Sequence, residues 1–137
     1  MTLKILCATD GTDHSATAVI QAAEMAAKNK GALTLCTVNI AHGGGRGPVI
    51  NHWTDVQLEK ILEDAVALAG KHGVKDAHKA AILSREAAAG IVSYAETHGF
   101  DHIVMGTGDK RGISRLVLGS VAADVAGRAH CSVTVAR

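Results

Sequence analysis

The feature that most constrains this chain is a hydrophobic period that switches back and forth along its length. Residues 3–9 form a short β-compatible run that stops at Asp10-Gly11-Thr12-Asp13. Ala16, Val19, Ile20, Ala23 and Ala27 then fall at helical spacing, with Thr12 or Asp13 placed to cap the first turn. Lys28-Asn29-Lys30-Gly31 reads as a helix end, with Gly31 at the left-handed position. A second strand follows over 33–40. The pattern repeats with a stripe of Leu58, Ile61, Leu62, Ala65, Leu68 and Ala69, closed by Lys71-His72-Gly73, and a weaker strand over 77–83. Ala88, Ile91, Val92 and Ala95 form the next stripe, closed by Thr97-His98-Gly99 before a strand at 102–105. Leu118, Val121, Ala122, Val125 and Ala129 mark a last helix, and 131–136 a last strand. Helices that end in glycine and lead into strands imply a parallel sheet wrapped on both faces. The expectation is an open, doubly wound α/β sheet. At 137 residues, with no break in composition, residues 1–137 make one domain.

Only Trp53, Tyr94 and Phe100 carry large rings, so the core must be built from Ala, Val, Ile and Leu, and a base-stacking surface for single strands is disfavoured. Fourteen basic residues against thirteen acidic ones leave a net charge of +1, without the basic excess of a nucleic-acid binder. No apolar run is long enough to span a bilayer, and the N-terminus lacks the pattern of a signal peptide. A cytoplasmic protein with no membrane partner is expected. Cys7, Cys36 and Cys131 are far apart, form no CxxC pair, and sit in apolar runs, where a thiol acts as a small hydrophobe. No metal site is expected.

Two segments break the rhythm. Residues 41–52 contain His42-Gly43-Gly44-Gly45-Arg46-Gly47-Pro48 and read as too flexible for a regular element. Residues 106–114 carry Gly106, Gly108 and Gly112 between a strand and the last helix. Ligands of doubly wound sheets sit beyond the carboxyl ends of the strands, where Asp10, residues 37–39 and residues 105–107 converge. Glycines there let backbone amides approach anionic oxygens, and Gly119-Ser120 stands where the final helix begins, with its amides and dipole favouring a phosphate. Lys110, Arg111 and Arg115 add positive charge. The same residues also suit an ordinary surface turn followed by a helix cap. Rival motifs fail on context: there is no Walker loop, no dinucleotide glycine spacing and no GxSxG frame around Ser120. His98 and His102 are four apart, but Gly99 and a turn between them break the helical register that a zinc pair uses.

An opening strand ending in Asp10, the Val104-Met105-Gly106-Thr107 segment, Leu118-Gly119-Ser120-Val121 and a short final strand together resemble the universal stress proteins, in order and spacing, over residues 3–136. The resemblance implies a Rossmann-like, adenine nucleotide alpha hydrolase-like fold with five parallel strands in the order 3-2-1-4-5. It implies a stress-response regulator that binds ATP, with Mg²⁺, or a related adenine nucleotide. Asp10 would contact the ribose, Val38 the adenine through its backbone, and Gly106, Gly119, Ser120 and Val121 the phosphates, with Ala8, Thr9, Met105, Thr107, Gly108 and Asp109 completing the site. ATP-binding members carry glycine at the position of Asp109. A carboxylate there repels a polyphosphate unless Mg²⁺ bridges the two. The resemblance also implies a homodimer joined through the C-terminal strand, with an unknown protein client. No general base or nucleophile stands beside the phosphate loop, so no enzyme activity is expected and any ATP hydrolysis would be slow or incidental. The alternative is a dimeric interaction or chaperone-like module of the same fold that binds no nucleotide.

Overall fold

The computed structural model describes residues 2–107 and 119–137. Strand β1 (Lys4–Ala8) leads through a short turn into helix α1 (Asp13–Asn29), and β2 (Ala32–Gly43) returns beside β1. A three-residue strand, β3 (Val49–Asn51), precedes helix α2 (Asp55–Lys71) and strand β4 (His78–Ser84). Helix α3 (Ala87–Thr97), β5 (His102–Gly106), α4 (Ser120–Arg128) and β6 (Ser132–Ala136) complete the chain. The parallel strands lie in the order β4-β2-β1-β5-β6. Counting parallel strands only, that is the expected 3-2-1-4-5.

The helices cover both faces because alternate strand residues point to opposite sides. Ile5, Cys7, Leu33, Leu35 and Val104 pack under α1 and α2 against Ala18, Ala22, Ala23 and Ala65. Leu6, Cys36, Ile103 and Met105 pack on the other side against Ala88, Ile91, Ala122 and Val125 of α3 and α4. Alanines along α1 let its backbone come close to the sheet. Burial pushes the Cys36 thiol up to about 12 and that of Cys7 higher still, with Cys36 adding to the latter, so both stay neutral hydrophobes. Among the described residues no helix is long and apolar enough to cross a membrane.

Two expectations are corrected. Segment 41–52 is not irregular throughout: β2 runs on to Gly43 and pairs antiparallel with β3, with Ala41 opposite Asn51 and Gly43 opposite Val49. Gly43, Gly44 and Gly45 have φ of 83°, 102° and 64°, the left-handed region that glycine enters at little cost, so they make the hairpin turn possible. At the end of α1 the left-handed residue is Lys30 (φ 53°), not Gly31. The Gly31 amide donates to the Ala26 carbonyl at 2.8 Å, and a Cβ on Gly31 would lie 2.8 Å from the Leu3 carbonyl oxygen. Glycine is needed at 31 for this approach to β1, so the strained backbone falls to its neighbour.

Candidate functional site

β1 and β5 end side by side, with β2 beside β1 as far as the Ala8–Cys36 pair before it runs on to Gly43, and neighbouring strands are about 4.8 Å apart. Beyond Ala8 at the end of β1, the Thr9 amide donates to the Cys36 carbonyl at 2.8 Å and extends the ladder by one bond. The buried Thr9 hydroxyl lies 2.8 Å from the Ser15 hydroxyl and accepts from the Gly11 amide at 3.3 Å. Asp10 Oδ1 accepts from the Thr12 amide at 3.0 Å and the Thr12 hydroxyl at 2.6 Å. Thr12 is also the N-cap of α1, its Oγ1 accepting from the Ser15 amide at 3.4 Å. One side chain therefore starts the helix and aims the carboxylate.

Asp10 is exposed at this edge. Partial burial works to raise its pKa, but bonds from the Thr12 hydroxyl and amide, then from the Ser15 hydroxyl and its own amide, outweigh it and hold the group below its ordinary value. It is an anion at neutral pH. Such a group can accept from a pair of sugar hydroxyls or hold a cation, and it repels a phosphate.

On β5, Met105 is buried against the α3 and α4 side, and Gly106 pairs with Ala136. A Cβ on Gly106 would lie 2.7 Å from the His14 carbonyl oxygen, so this glycine lets the first turn of α1 rest on the strand. Half-buried Thr107 follows. Gly108 and Asp109 lie outside the described residues, as do Lys110, Arg111 and Arg115. The chain is described again at Gly119, the N-cap of α4, with Ser120 and Val121 exposed in the first turn. The N-cap of this helix is a glycine, which brings no capping side chain of its own. Its first amides and its dipole suit an anion. Val38 is half-buried on β2 opposite Ile82, with its side chain on the α3 and α4 side. Asp10, Val38 and Gly106 thus share one edge on three adjacent strands.

Sequence reasoning missed the partnership of Asn39 and Trp53. The buried Asn39 side chain donates to the Trp53 carbonyl at 3.1 Å and accepts from the Trp53 amide at 2.8 Å. Trp53 is thereby fixed beside Asn39 of β2, just before the Thr54–Gln57 capping box that opens α2. A polar residue inside an apolar strand and a single tryptophan were the available signals. Trp53 borders a cavity of about 390 Å³ between α1 and α2. Among the described residues no group of three His, Cys, Asp or Glu side chains is placed to hold a metal ion.

The whole chain, residues 1–137, matches the universal stress protein family. Universal stress protein MJ0531 of Methanocaldococcus jannaschii is 32% identical over 140 residues, covering 98% of this chain and 81% of that protein. Two solved structures share the fold. A universal stress protein in complex with cAMP superposes with a TM-score of 0.78 at 24% identity, over 99% of this chain and 97% of the other. The universal stress protein from Archaeoglobus fulgidus in complex with dAMP gives 0.72 at 24% identity, over 98% of each. The strand order, the Asp10 turn, the glycine that opens α4 and a match along the full length lead to one assignment: the chain belongs to the universal stress protein family.

Proposed function

We propose that this chain is a stress-response regulator that binds an adenine nucleotide at the carboxyl edge of its sheet. The observation that carries the reading is the convergence at that edge of an anionic Asp10, held by Thr12, and the N-terminus of α4, which opens on Gly119. The two suit opposite ends of a nucleotide, a sugar diol and a phosphate. The family supports the choice of ligand, since relatives of this fold carry cAMP and dAMP. ATP is a further candidate. Asp109 in the glycine frame makes its binding depend on Mg²⁺, which would bridge the carboxylate and the polyphosphate. Binding rather than turnover is the proposed role, in the cytoplasm.

The working unit is a homodimer. Strand β6 lies at the end of the sheet and pairs with β5 on one side. Ser132-Val133-Thr134-Val135-Ala136 carries no Pro or Lys to block a second partner, and its twin across a two-fold axis would satisfy the open side. A second reading, a docking module without nucleotide, is favoured by Val49 and Ile50, exposed at 56% and 62% on the β2–β3 hairpin.

A thermal-shift panel of AMP, cAMP, ADP and ATP, with and without Mg²⁺, separates the two readings. Ligand at a hundredfold its Kd stabilises by about 2.7 kcal/mol, which moves the midpoint by several degrees. If no adenine nucleotide moves it, and the denatured protein releases no adenine absorbance, the docking module replaces the nucleotide reading.

A further inference from the structure

Of the five large hydrophobic side chains exposed among the described residues, four gather at one corner of the molecule. Val49 and Ile50 lie on β3, Val56 in the first turn of α2, and Leu83 near the end of β4. The register shows how they meet. Leu83 lies opposite Asn39 of β2, whose side chain holds the backbone of Trp53, three residues before Val56. Arg85, just past β4, donates to the Gly43 carbonyl at 2.7 Å and so ties the β2–β3 hairpin to the end of β4. A Cβ on Gly44 would lie 2.9 Å from Arg85 Nη2 and 3.6 Å from Val49 Cγ2, so the guanidinium and Val49 flank one point. Ile82 faces the α3 and α4 core, so strand alternation turns Leu83 to the other face, where it is left 64% exposed.

The acids at this corner are already engaged. Glu86 pairs with Arg128 at 2.8 Å, Glu59 pairs with Lys79, and Asp55 sits in the first turn of α2, where the helix dipole favours it. The bases are not. Arg85 is bonded to a neutral carbonyl, and Arg46 in the hairpin has no ion-pair partner among the described residues. Residues 40–54 contain no Asp or Glu. The corner is apolar with an unbalanced positive charge, and its complement is apolar and acidic. The backbone sets the partner's shape. All of β4, His78–Ser84, pairs with β2, and its other edge has no strand among the described residues. Such an edge takes an added strand through main-chain hydrogen bonds, which a lipid surface cannot supply.

We propose that the open edge of β4 and the hairpin corner dock an extended segment of a partner protein, apolar where it runs beside Ala81 and Leu83 and acidic at the end that reaches Arg85 and Arg46. The proposal stands beside the nucleotide reading rather than on it. It takes up the hairpin residues of the docking reading and adds the strand that receives the partner and the chemistry that selects it.

The probe is a fluorescein-labelled peptide of alternating valine and threonine that ends in a run of glutamates, titrated into the protein without nucleotide and followed by anisotropy. It should bind with an affinity that falls as salt rises, and it should slow amide hydrogen exchange along β4. A counterpart ending in lysines should not bind. Leu83→Ser and Arg46→Gln, both surface changes, should each weaken binding roughly tenfold while leaving the far-UV circular dichroism unchanged. The proposal fails if the glutamate peptide does not bind, if the lysine peptide binds as well, or if both variants bind like the parent. It fails too if a counterpart with prolines in the apolar run binds equally, since that peptide cannot add as a strand. Phosphatidylserine vesicles that retain the protein when the peptide does not bind would assign the corner to a membrane instead. Because nucleotide is absent throughout, each of these failures leaves the nucleotide reading intact.

Discussion

Replacing Gly106 by alanine separates two reasons for a glycine at the end of β5. An ideal Cβ there lies 2.7 Å from the His14 carbonyl oxygen, 3.2 Å from the His14 carbonyl carbon and 3.5 Å from Ser15 Cα. The first distance is about 0.7 Å inside ordinary contact, and all three atoms are backbone, so no side chain can rotate away. The first turn of α1 must move instead. It is held by the Thr9–Ser15 hydroxyl bond, and behind it Ala18, Ala22 and Ala23 are fully buried against the sheet. Lifting the turn loosens those contacts, and a misfit of this kind costs about 1–3 kcal/mol. For a chain of this length that is a fall in midpoint of roughly 4–12 °C. Urea unfolding followed by far-UV circular dichroism, without nucleotide, measures it directly. Gly70→Ala in α2, where an added Cβ meets nothing within 4 Å, is the control and should gain about 0.5–1 kcal/mol. If Gly106→Ala unfolds at the parent's urea concentration with an unchanged slope, the packing argument is wrong. A glycine kept only for ligand approach would then lose nucleotide binding at no cost to the free protein.

Thr37 is 1% exposed and its hydroxyl has no hydrogen-bond partner among the described residues, so Thr37→Val should raise stability by about 1–2 kcal/mol in the same urea assay. A loss would mean that a buried water satisfies the hydroxyl. His102 is held by burial below its ordinary value near 6.5, with its Nε2 2.7 Å from the Thr134 hydroxyl. The unfolded chain then binds more protons than the native one below neutrality. The stability from neutral His102 is full above pH 6.5 and is lost as pH falls through the folded pKa. Midpoints from pH 7.5 to 5 should show this slope, and His102→Gln should flatten it; an unchanged slope in the variant assigns the effect to another group.

The parts of the fold that were legible in the sequence are those written in local periodicity and punctuation. Each helix of the α1–α3 series begins and ends within a few residues of where its stripe and its closing glycine place it. Asp10 and Gly119-Ser120 were legible at the edge for the same reason: each interrupts a period at a strand or helix boundary, and topology carries both ends to one side. What could not be read was decided by atoms far apart in the chain. Gly31 reads as a left-handed cap on local grounds, yet the Leu3 carbonyl is what demands glycine there, so the left-handed turn moved to Lys30. Three glycines in 43–45 read as breakers, whereas pairing of Ala41 with Asn51 across them turns the same residues into a hairpin bend. Asn39 and Trp53 are fourteen residues apart and follow no period, so a polar residue in an apolar strand and a lone tryptophan were each visible but nothing local joined them. Gly106 combines both cases. Its place in a glycine frame points to a ligand, while its contact with His14 supplies a reason for glycine that needs none. A glycine motif at a sheet edge is therefore evidence for binding only after its packing neighbours have been counted, and here Asp10 and the start of α4 at Gly119 carry the functional argument that Gly106 alone does not.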